Sequence, residues 1–350
     1  MSGDIHIRKE GRAGRITLTR PQALNAVSHE MCLEIEAALD AWCDDDAVAL
    51  VLLDAEGDKA FCAGGDIQRL YKTGRAGDYA PARRFWADEY RMNAKIARYP
   101  KPVVALMHGY VMGGGVGIAC HGAHRVVCET TQVAMPECGI GLVPDVGGSW
   151  LLSRAPGRTG AYLGITGARM GPEDAIFAGF ADVYVPQAMW PDLMRALVET
   201  GDPGVISARA GTAPEGRLAA LSGLVDGGFA GDTLSEVLGA LRAEDGPFAR
   251  DALEAMTRNA PLSMACTLEM LRRLRDPDAD IARALHLEYR VTYRVMPDGD
   301  FLEGVRAAII DRDKAPHWQH ALDAVPQEAV EHMLSPLGDD ALTLEEERTQ

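Results

Sequence analysis

The chain has 350 residues, 47% hydrophobic and 25% charged, with a formal net charge of −16. These are globular proportions, with enough chain to bury a substantial core in one large domain or two. The acidic balance excludes a general nucleic-acid surface, which needs a basic footprint, but leaves room for a local patch that meets one phosphorylated ligand. Seven cysteines are scattered without a C-x-x-C pair. They read as reduced, buried small hydrophobes, and imply a cytoplasmic location. No signal-peptide h-region and no run of 18 apolar residues is seen, so no membrane partner is expected.

In chain order, residues 4–19 predict two short strands around a glycine-containing turn. From Pro21 an amphipathic helix is expected, with Met31, Ile35, Leu39 and Trp42 at helical spacing. Residues 47–54 read as a buried strand, and "FCAGGD" follows. There Gly64 and Gly65 stand just before a short helix over 66–73, with Asp66 at the cap position. A longer helix ends before Pro102 and carries Glu89, which on pattern alone is an exposed helical acid. "PVVALMHG" is the next buried strand. It runs into Gly113, Gly114 and Gly115 and then "VGIAC", the start of a buried helix. The chain therefore builds one device twice: strand, glycines, helix start. Such a corner presents bare N–H groups at the positive end of a helix dipole and lets a ligand approach the main chain. It can hold a phosphate or a developing oxyanion, and two such donors facing one point form an oxyanion hole. The glycines alone are equally compatible with tight packing turns.

Short strands are expected at Arg125–Cys128 and Gln132–Ala134. Glu137 in "MPE" and Asp145 in "PDVGG" lie on a loop punctuated by Pro136, Gly139, Gly141, Pro144, Gly147 and Gly148. Two acids on a rigid, apolar loop are poor candidates for a solvated face, although a lone acid often caps a helix or turn. His121 and His124 have no third ligand nearby and read as structural, so no metal is expected. Beyond residue 157 come two helices and a strand. From Pro186 the pattern is helical throughout, with residues 325–350 acidic and expected to fray.

"KAFCAGGDI", "HGYVMGGGVG" and "AMPECGIGLVPDVGG" together resemble the enoyl-CoA hydratase/isomerase (crotonase) superfamily. Within it, Asp145 in "PDVGG", the later "EYR" at 288–290 and the run from Asp300 to Trp318 resemble 3-hydroxyisobutyryl-CoA hydrolases. The resemblance implies an α/β fold, a spiral of β-β-α turns over residues 1–200 with a helical C-terminal region over 201–350. It implies that Gly65 and Gly114 donate the oxyanion-hole N–H groups, that Glu137 is the catalytic glutamate, acting as general base or nucleophile, and that Asp145 orients the substrate hydroxyl or assists water and leaving-group proton transfer. It further implies that Glu89 contacts substrate, and that backbone near Asn25 and Ala26 approaches the adenine end of coenzyme A. From residues alone, Pro21 and Asn25 merely shape a loop. Arg20 and Lys314 are candidates for the coenzyme A phosphates by position. Hydratases of the superfamily carry a second Glu two residues after the glycine triplet, where this chain has Gly117, and tend to have a small residue where it has Asp145. One acid is lost and another gained. The expected activity is therefore hydrolysis of the 3-hydroxyisobutyryl-CoA thioester in valine breakdown. A short-chain enoyl-CoA hydratase or isomerase and a non-catalytic acyl-CoA-binding subunit are the alternatives. No cofactor is implied beyond the coenzyme A of the substrate, and the superfamily commonly forms homotrimers.

Overall fold

A computed structural model describes residues 3–344. Its strands are β1 (Ile5–Glu10), β2 (Ala13–Leu18), β3 (Leu50–Ala55), β4 (Ala60–Cys62), β5 (Val103–Met107), β6 (Tyr110–Met112), β7 (His124–Val127), β8 (Gln132–Ala134) and β9 (Val183–Tyr184). One sheet has the order β1-β2-β3-β5-β7-β9, and a second the order β4-β6-β8. The β1–β2 pair is an antiparallel hairpin; every later pairing is parallel. Each passage of the chain thus lays one strand in the larger sheet and the next in the smaller, and two of the three then enter a helix. This is the β-β-α spiral expected from the sequence. Parallel strands covered on both faces carry continuous apolar runs, and β5, "VVALM", is buried along its whole length. Leu50, Leu52, Val104, Leu106 and Val126 of the sheet pack with Leu193 and Leu197 of the Trp190–Thr200 helix.

The chain divides into two compact units. One comprises residues up to 65, 92–134 and 169–217 and holds both sheets; the other comprises 66–91, 135–168 and 218 onward and is helical. The units do not follow a single cut at residue 200. Segments 66–91 and 135–168 group with the C-terminal helices, and for 135–168 glycine lets backbone meet backbone. A Cβ at Gly141 would lie 2.4 Å from the Asp300 backbone, and one at Gly304 2.3 Å from that of Ile140.

Two local expectations change. The first long helix begins at His29, not near Pro21, because Leu24 and Asn25 take positive φ and Ser28 caps it through the Met31 N–H. The acidic tail is also more structured than its composition suggests. Gln327–Met333 is helical, and Val330, Met333, Leu334 and Leu342 are buried. Arg290 and Arg294 donate to the Leu334 and Ser335 carbonyls at 3.1 and 2.8 Å. The fraying expected of residues 345–350 lies outside the described residues. Among the described residues no helix is long and apolar enough to cross a membrane.

Candidate active site

The two glycine corners leave neighbouring parallel strands of the smaller sheet, β4 and β6. Gly113 takes φ +50° and ψ −117°, a combination open only to glycine, and Gly64 takes φ +118°. A Cβ at Gly115 would lie 2.3 Å from the Cys62 carbonyl oxygen, so the corners abut through bare backbone. Val27 ties down the first corner by donating to the Gly64 carbonyl at 2.9 Å. Neither the Gly65 N–H nor the Gly114 N–H reaches an acceptor among the described residues. Buried backbone donors are nearly always paired; Gly114 is buried and Gly65 half-buried.

In the helical unit, Glu137 opens a 3-10 turn, Glu137–Ile140, on the loop after β8. The turn is fixed from several sides. Gly139 donates to the Pro136 carbonyl at 3.0 Å, Leu142 to the Glu137 carbonyl at 3.1 Å, and Ala260 to the Cys138 carbonyl at 2.8 Å. Gly141 ends it with φ +72°. Glu137 is buried, and its Oε2 has no hydrogen-bond partner.

Asp145, also buried, accepts a hydrogen bond from the Tyr90 hydroxyl at 2.7 Å. Its carbonyl accepts the Gly148 N–H at 2.7 Å across a turn whose central residues, Val146 and Gly147, have φ +54° and +77°. Two positive φ values are the pattern of a type I′ turn. They cost a β-branched valine on the order of 1–3 kcal/mol. Glu89 precedes Tyr90 on the Ala80–Ala97 helix and is only 2% exposed, with Oε1 partnerless. The exposed helical acid that pattern alone suggests is therefore excluded. A fourth carboxyl, Glu288 on the Ile281–Arg294 helix, is fully buried and accepts from the Gly147 N–H at 2.8 Å and the Ser149 N–H at 3.1 Å.

None of these four carboxyls forms an ion pair among the described residues. Burial, with the nearby Asp145 charge, pushes Glu89 and Glu137 well above the usual carboxylate range. Burial raises Asp145 to about 7 against the opposing Tyr90 hydrogen bond, and Glu288 to about 8 against its Ser149 and Gly147 donors. Burial also lifts the Tyr90 phenol, which stays a proton donor. Mutually repelling carboxyls in a dry site resist ionising together and hold protons that exposed carboxyls would release.

The side chains of Asn25 and Arg20 make internal contacts. Asn25 is buried and spends its amide on the Glu56 and Ala60 carbonyls, both at 2.9 Å, while its Oδ1 accepts the Arg20 N–H at 2.9 Å. Ala26 gives its carbonyl to the Arg20 guanidinium at 3.0 Å, and Arg20 also pairs with Asp4 at 3.5 Å. Lys314 is exposed. Tyr90 and Glu288 escaped the sequence reading as working residues. Their only signal was adjacency to singled-out features: Tyr90 follows Glu89, and Glu288 opens "EYR".

The sequence model of the enoyl-CoA hydratase/isomerase family matches residues 13–334. The chain is 36% identical over 355 residues to the 3-hydroxyisobutyryl-CoA hydrolase, mitochondrial, of Gallus gallus, covering 98% of this chain and 91% of that protein. It is 34% identical to the Homo sapiens protein of the same name, covering 97% and 90%. Among solved structures, an enoyl-CoA hydratase from Rhodobacter sphaeroides 2.4.1 shares 57% identity at a TM-score of 0.93, covering 97% of this chain and 99% of that one. A carnitinyl-CoA dehydratase from Mycobacterium thermoresistibile shares 42% at 0.93, covering 98% and 99%. Since the family match and these likenesses run almost the length of the chain, it belongs to the enoyl-CoA hydratase/isomerase, or crotonase, family.

Proposed function

We propose that the chain hydrolyses the thioester of 3-hydroxyisobutyryl-CoA, a step of valine breakdown. The observation that carries this reading is Asp145. It is a buried carboxyl on the Glu137 loop, held by Tyr90 and raised to about 7, in a chain that has Gly117 where hydratases of the family carry an acid. The relatives named for this hydrolysis support it.

In the proposed reaction the Gly65 and Gly114 N–H groups stabilise charge developing on the thioester oxygen; one such donor is commonly worth about 10²–10³ in rate. Glu137 serves as the base that takes a proton from water, or as the nucleophile that first forms an acyl-enzyme anhydride. On the water route a C–O bond forms at the carbonyl carbon and the C–S bond breaks. The departing thiolate takes the proton held by Asp145, giving free acid and coenzyme A thiol. Glu89 and its partnerless oxygen suit the substrate 3-hydroxyl, and the backbone at Asn25 and Ala26 suits the adenine end. Coenzyme A enters as part of the substrate, and no other cofactor has a place in these steps. The free cysteines fit a reducing compartment such as the cytoplasm, and family resemblance suggests a homo-oligomer.

One observation favours a second reading, hydration of a short enoyl-CoA: the Rhodobacter structure at 57% identity is described as an enoyl-CoA hydratase. A paired assay separates the two. Thiol release from 3-hydroxyisobutyryl-CoA with little loss of enoyl absorbance from crotonyl-CoA is expected. Efficient hydration without thiol release would replace the hydrolase reading.

A further inference from the structure

The proposed chemistry leaves one buried carboxyl of the cluster without a task, Glu288. It accepts from the Gly147 N–H, the Ser149 N–H and the Ser149 hydroxyl. All three donors belong to the turn that follows Asp145. That turn is the strained one: Val146 sits at φ +54°, a genuine outlier for a β-branched residue. Such a conformation persists only where its surroundings over-determine it, and the three bonds to Glu288 supply that constraint. The next residue on the same helix reinforces it. The Tyr289 ring stands edge-on to Tyr90, with centroids 6.2 Å apart, and the Tyr90 hydroxyl holds Asp145. Neighbouring residues of one helix therefore hold Asp145 from two directions, Glu288 through its backbone turn and Tyr289 through the tyrosine that grips its carboxyl.

We infer that Glu288 is a positioning residue, a clamp on the strained 145–149 turn that aims the Asp145 carboxyl. The inference rests on the reading of Asp145 as a working acid. The titratable groups facing Glu288 are Asp145 and Glu137 from the loop and Tyr90 from the Ala80–Ala97 helix.

Glu288→Gln keeps the size but turns an amide NH₂ toward backbone donors. Thiol release from 3-hydroxyisobutyryl-CoA is measured from pH 5 to 9, with folding checked by thermal melting. The expected result is a kcat lower by about 10- to 100-fold, the scale of a misplaced catalytic group, with KM within threefold. A loss confined to kcat is the mark of a misplaced group; general loosening of the fold would raise KM and lower the melting temperature as well. A kcat within twofold of wild type would overturn the inference. Should Glu288→Gln fail to fold, Ser149→Ala removes one arm of the clamp; a fall of roughly 3- to 10-fold in kcat is expected, and unchanged kcat overturns it. A crystal structure of the same variants gives a reading independent of activity. Val146 should leave positive φ and the Tyr90–Asp145 hydrogen bond should open; an intact turn contradicts the clamp. Wild-type protein that releases no thiol would instead sink the proposed function, leaving the crystallographic test of the clamp standing.

Discussion

Glu137 sits where its own charge is resisted. Burial and the charges of Asp145, Glu288 and Glu89 all raise its proton affinity, while in the unfolded chain it titrates near the ordinary value of about 4.3. Between that value and its raised folded one, the folded state keeps a proton that the unfolded state has released. Stability therefore falls as pH rises through this window and then levels off. Glu137→Gln removes the penalty along with the base. Its turnover should drop by roughly 10² or more, while its Tm at pH 8 should exceed wild type by about 1–3 °C. That difference should shrink toward pH 5. Activity within threefold of wild type would remove Glu137 from the mechanism. Glu137 and Asp145 were legible in the sequence because prolines and glycines fix an apolar loop around them, which is no place for a solvated acid. Tyr90 and Glu288 were not legible in these roles: Tyr90 acts on Asp145 from 55 positions away, and Glu288 grips Gly147 from 141. Only folding brings those separations together.

At the scale of elements, the paired strand–glycine–helix corners were readable, since each glycine run stands between an apolar strand and a helix start. What pattern could not supply was how closely the corners pack. The Cys62 carbonyl occupies the space that a side chain at Gly115 would need. Gly115→Ala should therefore destabilise the protein by about 1–3 kcal/mol, the usual cost of overpacking against backbone. It should also lower kcat more than KM, by displacing the Gly114 N–H. Thermal melting and steady-state thiol release check both effects, and a variant of wild-type stability and rate would show that the contact is easily relieved. The first helix shows the opposite limit. Hydrophobic spacing extended it back toward Pro21, but Asn25 at positive φ holds a loop there through one local hydrogen bond, from the Arg20 N–H, and two distant ones, to the Glu56 and Ala60 carbonyls, and side-chain competition of this kind is invisible to periodicity.

For the whole molecule, composition limited the class of ligand and the motif set indicated the family, but neither revealed the interleaving. The acid cluster draws on residues 89–90, 137–149 and 288 within one helical unit, while the glycine corners belong to the unit with the sheets. The extended C-terminal region therefore reaches the Asp145 turn through Glu288, and its tail is secured by the arginines that follow Glu288 on that helix. The central claim is that Asp145 makes this member of the family a hydrolase. Its most direct test is thiol release from 3-hydroxyisobutyryl-CoA by wild type and Asp145→Gly, each assayed beside crotonyl-CoA hydration and coenzyme A binding. Wild type should release thiol with an alkaline limb near pH 7, because the departing thiolate needs the proton on the raised Asp145. Asp145→Gly should lose that release by roughly 10² or more while still binding coenzyme A. A glycine variant that releases thiol at the wild-type rate, or a wild type that only hydrates crotonyl-CoA, would show that the acid gained at Asp145 did not change the chemistry.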